Sequence, residues 1–179
     1  MEKNSNINLV IMNNNNFKHN RHTAVMHVSA TKMSQDYTIE DCKRYHKSKG
    51  WSDIGYHFYI EKDGTLHQGR PLDKNGAHVS GFNSGTIGIC TEGGLDERGV
   101  PKDTMTDLQR LTVEGLLLSL KIENPKMKVK GHRDYSPDLN GNNVIEKHEF
   151  LKACPCYDAQ EKFKVFNGDL ETILKKLGK

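Results

Sequence analysis

Three residues from distant parts of the chain carry the side chains that zinc prefers in proteins: His27, His132 and Cys154. Each histidine ends an apolar run, the first in AVMHVSAT and the second in MKVKGHRDYSP. Two neutral imidazoles and one thiolate leave the fourth position of a tetrahedral ion free for water, which is typical of catalytic zinc. The three residues therefore predict a zinc-dependent hydrolase.

The patterns around these residues predict the elements that must position them. His27 and His132 stand at the ends of two predicted strands, where rigid backbone can hold a side chain that faces a cleft. Thr38 and Thr106 are the expected N-caps of two helices, and Gln109 completes a capping box with Thr106. Because helices and strands interleave, we expect an α/β fold with a central mixed β-sheet flanked by α-helices. The predicted elements are strands at 24–29, 85–94 and 127–131, a hairpin at 55–70, and helices at 38–50, 106–120 and 158–177.

Length and composition fit a single domain. The chain has 179 residues, of which 35% are hydrophobic and 27% charged. The Asn-rich residues 1–21 predict a loosely ordered arm with one short strand in NLVIM, and residues 22–179 form the expected catalytic domain. The net charge of +3 comes from scattered basic residues, which excludes a nucleic-acid-binding surface. No apolar stretch approaches the roughly 18 residues of a membrane helix, and we expect a monomer.

The N-terminus and the cysteines indicate where the protein is made. The first residues lack the charged and apolar regions of a signal peptide, so we expect synthesis in the cytoplasm. Any target outside the cytoplasm would then be reached only after lysis or by a separate export route. Without secretion, a disulfide framework is not expected. Cys42, on a predicted helix, and Cys90, in a buried-strand pattern, are expected to be chemically inert.

Five blocks of the sequence resemble the zinc N-acetylmuramoyl-L-alanine amidases. The similarity is greatest to the bacteriophage-lysozyme type, which is related to peptidoglycan recognition proteins. The blocks occur in family order and cover roughly residues 24–158. They are MHVSAT, GWSDIGYHFYIEKDGT, GAHVSGFNSGTIGIC, GHRDYSP and KACP.

The resemblance implies that peptidoglycan is the substrate and that the bond between N-acetylmuramic acid and L-alanine is hydrolysed. It assigns the zinc ligands to His27, His132 and Cys154, although Cys156 remains a competing thiolate. It also implies catalytic roles for Tyr56 and Lys152, which can donate hydrogen bonds to water or to an oxyanion. Substrate-binding roles are implied for His78 and Asn83. His57 is expected to face the opposite side of its strand, as a packing residue.

A peptidoglycan recognition module that binds without cutting is the alternative function. Relatives that have lost activity typically lack the cysteine ligand, whereas Cys154, Tyr56 and Lys152 are all present here. We therefore favour catalysis.

The segment between His132 and Cys154 is longer than in the short phage enzymes. Its residues 138–149 match the 12-residue pattern of an EF-hand loop, except that Asn143 replaces the usual glycine. A polar surface loop that leads into a short helix at 146–152 is the alternative. The expected calcium ligands are Asp138, Asn140, Asn142, Val144 (through its carbonyl) and Glu149.

Overall fold

A computed structural model describes residues 21–178 of the chain. The strands are β1 (Thr23–Val28), β2 (Thr31–Lys32), β3 (Phe58–Ile60), β4 (Leu66–Gln68), β5 (Thr86–Thr91), β6 (Gly94–Leu95) and β7 (Lys128–Gly131). The helices are α1 (Ile39–Ser48), α2 (Asp107–Glu123), α3 (Ala159–Lys162) and α4 (Leu170–Leu177). Short 3-10 turns lie at His132–Tyr135, Lys147–Glu149 and Lys164–Asn167.

Five strands form one mixed sheet in the order β4-β3-β5-β1-β7. The pairs β3–β5, β5–β1 and β1–β7 are parallel, and β4 is antiparallel to β3. Every residue of β1 and β5 is buried, which explains why these strands are continuous apolar runs rather than alternating patterns. Met26 pairs with Gly131, so β7 ends two residues before the end of β1 at Val28.

Helices cover both faces of this sheet. The larger core packs α2 against the sheet through Val113, Leu116, Leu117 and Leu120. On the other face, Cys42 of α1 and Cys90 of β5 belong to a second buried cluster with Ile39, Ile54 and Tyr59. The predicted α/β class is therefore confirmed. All four cysteines are free, with Cys42 and Cys90 buried.

The helix starts follow the predicted capping chemistry. Thr38 and Thr106 each accept a hydrogen bond from the backbone three residues on, and both capping boxes are complete. Helix α2 runs three residues beyond the predicted end at Leu120. The buried ammonium of Lys121 holds the turn that follows the helix, because it donates to the carbonyls of Pro125 and Met127 at 2.6 and 2.9 Å.

Two predicted strands are longer than the observed ones: the 85–94 strand is limited to Thr86–Thr91, and the 127–131 strand to Lys128–Gly131. The 158–177 region contains two helices separated by a 3-10 turn, as expected for short amphipathic segments. Within 21–178, no helix combines the length and hydrophobicity that crossing a membrane requires.

Arg21 belongs to the folded domain, although it was assigned to the N-terminal arm. It is fully buried and donates to the carbonyls of Thr86 (2.7 Å), Leu72 (3.0 Å) and Lys74. The rest of the predicted arm, including the NLVIM strand, lies outside the described residues.

Candidate active site

The three expected zinc ligands meet at the carboxyl edge of the sheet. His27 is the penultimate residue of β1 and is buried, and His132 follows β7 directly. Because β1 and β7 are parallel neighbours, both histidines emerge at the same edge. Cys154 reaches them from a distant loop, which is tied to the turn after β7 by a hydrogen bond from the Arg133 amide to the Cys154 carbonyl at 2.8 Å.

The distances between the three ligand atoms match tetrahedral zinc. Nδ1 of His27 lies 3.2 Å from Nδ1 of His132 and 3.8 Å from Sγ of Cys154. All three ligand atoms lie within 4.8 Å of one another. Zinc bond lengths and tetrahedral angles require about 3.3 Å between two nitrogens and about 3.6 Å between nitrogen and sulfur. The donor set therefore fits zinc in both type and spacing.

Burial controls the protonation of these ligands. It lowers the pKa of His27 well below its usual value, with smaller contributions from His78, His132 and Lys152. It also lowers the pKa of His132 to about 4, with Lys152 contributing. Both imidazoles are therefore neutral near pH 7, as metal binding requires.

The cysteine ligand behaves differently. Burial raises the pKa of the Cys154 thiol to about 12, partly offset by a hydrogen bond from the Val28 backbone. A divalent cation is needed to favour the thiolate, so binding releases a proton. Cys156, the competing thiolate, lies outside the cluster formed by His27, His132 and Cys154.

Both predicted catalytic residues lie near this cluster. The ring of Tyr56 is 5.0 Å from the ring of His27, centroid to centroid. Burial raises the pKa of the Tyr56 hydroxyl well above its usual value, so this group stays protonated and can donate a hydrogen bond. Lys152 is exposed and lines the same cavity as His132.

A cavity of about 480 Å³ opens beside His132. Trp51 and Tyr135 give it an aromatic lining that the sequence analysis missed, and Phe82 packs 5.0 Å from Tyr135. Two features of the sequence could have identified these residues. Tyr135 lies within the GHRDYSP block, and Trp51 is the chain's single tryptophan. The lining residues are Trp51, Ala77, His78, Val79, Ser80, Asn83, His132, Tyr135, Ser136, Leu151 and Lys152.

His78 and Asn83 both line this cavity, but their polar atoms bind protein groups. Nδ1 of His78 lies 3.1 Å from Nε2 of His27. The side-chain oxygen of Asn83 accepts hydrogen bonds from the amides of His78 and Val79, at 2.8 and 3.0 Å. Their roles as substrate ligands stay predictions.

The inserted loop 138–149 is held by its own carboxylates. Asp138 accepts hydrogen bonds from the amides of Gly141 and Asn143, each at 2.7 Å. Asn143 has a φ of 63°, the left-handed conformation that position 6 of an EF-hand requires. However, the side chains of this loop whose ligand atoms lie within 4.8 Å of one another are Glu146, His148 and Glu149. Calcium binding through Asp138, Asn140, Asn142, Val144 and Glu149 stays a prediction.

Comparisons with known proteins agree with this geometry. The family model described as N-acetylmuramoyl-L-alanine amidase matches residues 18–147. The endolysin of Enterobacteria phage K11 is 37% identical over 147 residues, which cover 82% of this chain and 87% of that protein. The endolysin of Escherichia phage T7 is 34% identical over 133 residues, covering 74% and 79%.

Solved structures show the same architecture. The endolysin amidase LysCS from Clostridium intestinale URNW has a TM-score of 0.60 and 29% identity, with 91% of this chain and 86% of that chain covered. Bumblebee PGRP-SA has a TM-score of 0.62 at 23% identity, with 80% of each chain covered, and shares the fold. Cys154 lies beyond the residues that the family model matches, so its place in the cluster depends on the geometry alone.

Proposed function

The chain belongs to the N-acetylmuramoyl-L-alanine amidase family and hydrolyses the bond between N-acetylmuramic acid and L-alanine in peptidoglycan; we propose that it uses zinc held by His27, His132 and Cys154. The observation that carries this proposal is the convergence of two imidazole nitrogens and one sulfur at tetrahedral spacing. Within residues 21–178, this cluster has three members, which leaves one coordination position for water or substrate.

When bound, zinc supplies a Lewis acid that polarises the substrate carbonyl and lowers the pKa of water toward neutrality. The residues around it must then orient the amide and stabilise the negative charge that develops on its carbonyl oxygen. Lys152 suits this second task, because its ammonium group is positively charged and borders the cavity beside His132.

Tyr56 suits a complementary task beside His27. Its hydroxyl stays protonated because burial raises its pKa, so it can donate a hydrogen bond without carrying charge. A neutral donor and a cation can orient an attacking water and an oxyanion separately.

The cavity supports binding of a glycopeptide rather than a small ion. Trp51 and Tyr135 offer aromatic faces for apolar sugar and peptide surfaces, while Lys152 adds an exposed polar group. The same fold occurs in recognition proteins such as PGRP-SA. The presence of Cys154 and Tyr56 beside His27, and of Lys152 in the cavity lining, favours cleavage over binding alone.

Product analysis of purified peptidoglycan tests the proposal. We expect released peptides with a free N-terminal alanine, loss of cleavage after zinc chelation, and recovery when zinc is returned. New reducing ends would show a glycosidase, and cleavage that persists after complete metal removal would overturn the zinc mechanism.

A further inference from the structure

Behind the cluster, three buried side chains form a continuous chain of hydrogen-bonding atoms. Nε2 of His27 lies 3.1 Å from Nδ1 of His78, and Nε2 of His78 lies 3.3 Å from Oγ1 of Thr86. Oγ1 of Thr86 in turn lies 2.8 Å from the Phe82 carbonyl and 3.2 Å from the Asn83 carbonyl. None of these contacts uses the His27 nitrogen that faces the other two ligands.

The two carbonyls fix the direction of this chain. A carbonyl oxygen can only accept, so the Thr86 hydroxyl must donate its single proton to Phe82 or Asn83. Oγ1 of Thr86 then accepts from Nε2–H of His78.

The same reasoning extends to the metal ligand. A neutral imidazole has one N–H, so His78 with its proton on Nε2 can only accept at Nδ1. Its partner across 3.1 Å, Nε2 of His27, must therefore be the donor. This leaves Nδ1 of His27 unprotonated, with its lone pair toward His132 and Cys154.

The backbone around His78 leaves its ring almost no freedom. A Cβ atom on Gly76 would lie 2.3 Å from the ring, and a Cβ atom on Gly88 would lie 2.6 Å from it. Asn83 also holds the backbone amides of His78 and Val79. The ring is thus confined by two glycines and by a loop that Asn83 holds in place.

We propose that His78 and Thr86 are positioning residues that hold His27 in the tautomer with its proton on Nε2, so that Nδ1 binds the metal. This inference rests on the proposed zinc site. Partners of this kind orient ligand histidines and increase their basicity, and their loss typically costs about 10–100-fold in metal affinity or activity.

Two matched pairs of variants test the role of the chain. His78→Leu removes the acceptor for His27, whereas His78→Asn can keep an oxygen near the Nδ1 position. Thr86→Val removes the hydroxyl, whereas Thr86→Ser keeps it. Zinc dissociation constants are measured by chelator competition on variants whose melting temperatures show that they are folded. We expect about 10–100-fold weaker binding for His78→Leu, a smaller loss for Thr86→Val, and substantial recovery in the Asn and Ser variants.

The tautomer of His27 is read separately, from ¹⁵N chemical shifts and couplings of the metal-free wild-type protein. We expect the proton on Nε2, and a shift toward the Nδ1–H form in His78→Leu. Equal zinc affinities in all folded variants, or an Nδ1 proton in wild-type His27, would overturn the inference. Failure of the wild type to bind zinc would overturn the proposed metal site instead, and the tautomer measurement would still decide the role of His78.

Discussion

The active site joins two regions of opposite character. His27 lies on a fully buried strand, between two parallel neighbours and against the His78–Thr86 chain. The segment from Arg133 to Cys154 instead crosses the surface, and it exposes Leu139, Val144 and Leu151.

The two regions are held by different kinds of contact. Around His27, the sheet and the close packing of Gly76 and Gly88 against the His78 ring exclude alternative positions of the two imidazole rings. In the surface segment, a few hydrogen bonds determine the path, including the Leu151 amide to Ser136 at 3.1 Å and the Arg133 amide to the Cys154 carbonyl at 2.8 Å. His27 is thus positioned by packing, whereas Cys154 is positioned by the hydrogen bonds of a surface loop. Each region can therefore be perturbed separately.

Loss of the loop-borne ligand should have the largest effect. Cys154→Ser is expected to remove zinc and to reduce lytic activity at least about a thousandfold, because a Lewis acid supplies several kcal/mol of transition-state stabilisation. Metal content and turnover of purified peptidoglycan measure this. Cys156→Ser is the matched control and should retain both. If the Cys156 variant lost zinc while the Cys154 variant kept it, the assignment of the thiolate would be reversed.

Loss of the nearby cation should reduce turnover without removing the metal. Lys152→Ala is expected to lower kcat roughly 10²–10³-fold, the typical cost of removing one oxyanion donor. Lys147→Ala, an exposed lysine outside the cavity lining on the same segment, should leave kcat unchanged. An unchanged kcat in the Lys152 variant would exclude this group from catalysis.

Two glycine substitutions compare the rigidity of the regions directly. Gly88→Ala should lower the free energy of unfolding by about 1–3 kcal/mol, because the new methyl group meets the His78 ring. Gly141→Ala in the loop meets no atom within 4 Å, and its φ of 75° should cost about 1 kcal/mol. Denaturant unfolding measures both, and zinc affinity should fall in the Gly88 variant alone. Equal effects on stability and affinity would contradict the contrast between the regions.

The smallest expected effect is a dependence of the stability of the loop 138–149 on pH. Hydrogen bonds from the amides of Glu146, Leu139 and Asn140 lower the pKa of Glu149 below 4.5. A depressed carboxyl pKa stabilises the folded loop above pH 4.5, and this contribution is lost as the pH falls through the folded value. As the pH falls, the loop amides should therefore lose their protection from hydrogen exchange at a higher pH than the amides of β1.

A pair of glutamate variants identifies the responsible group. Glu149→Gln should accelerate exchange at neutral pH, whereas Glu146→Gln, whose carboxylate accepts from the side chain of Asn140, should change it less. Identical exchange in the two variants would exclude Glu149 as the organising residue. Adding calcium to the same samples tests the predicted EF-hand site, since binding would slow exchange and raise the melting temperature.

Local signals in the sequence predicted local structure well. The capping boxes at Thr38 and Thr106 involve residues three positions apart, so they can be recognised in the sequence without knowledge of the fold. The apolar runs of β1 and β5 likewise indicated buried strands. The resemblance to the amidases supplied the family, which the comparisons confirm.

The contacts behind the site could not be predicted in this way. His27 and His78 are 51 residues apart, and their hydrogen bond depends on how the loop before β5 returns to the sheet. In the sequence, Gly88 is one small residue in a buried strand. Only the structure shows that a side chain at this position would collide with the His78 ring. Spacing in the sequence carries no information about which nitrogen of a histidine is protonated.

The most direct test of the account is a crystal structure of the zinc-loaded protein with anomalous scattering measured at the zinc edge. We expect one peak bonded to Nδ1 of His27, to His132 and to Sγ of Cys154, at about 2.0–2.3 Å, with a water as the fourth ligand. A peak elsewhere, a bond through Nε2 of His27, or a fourth protein ligand that closes the site would contradict it.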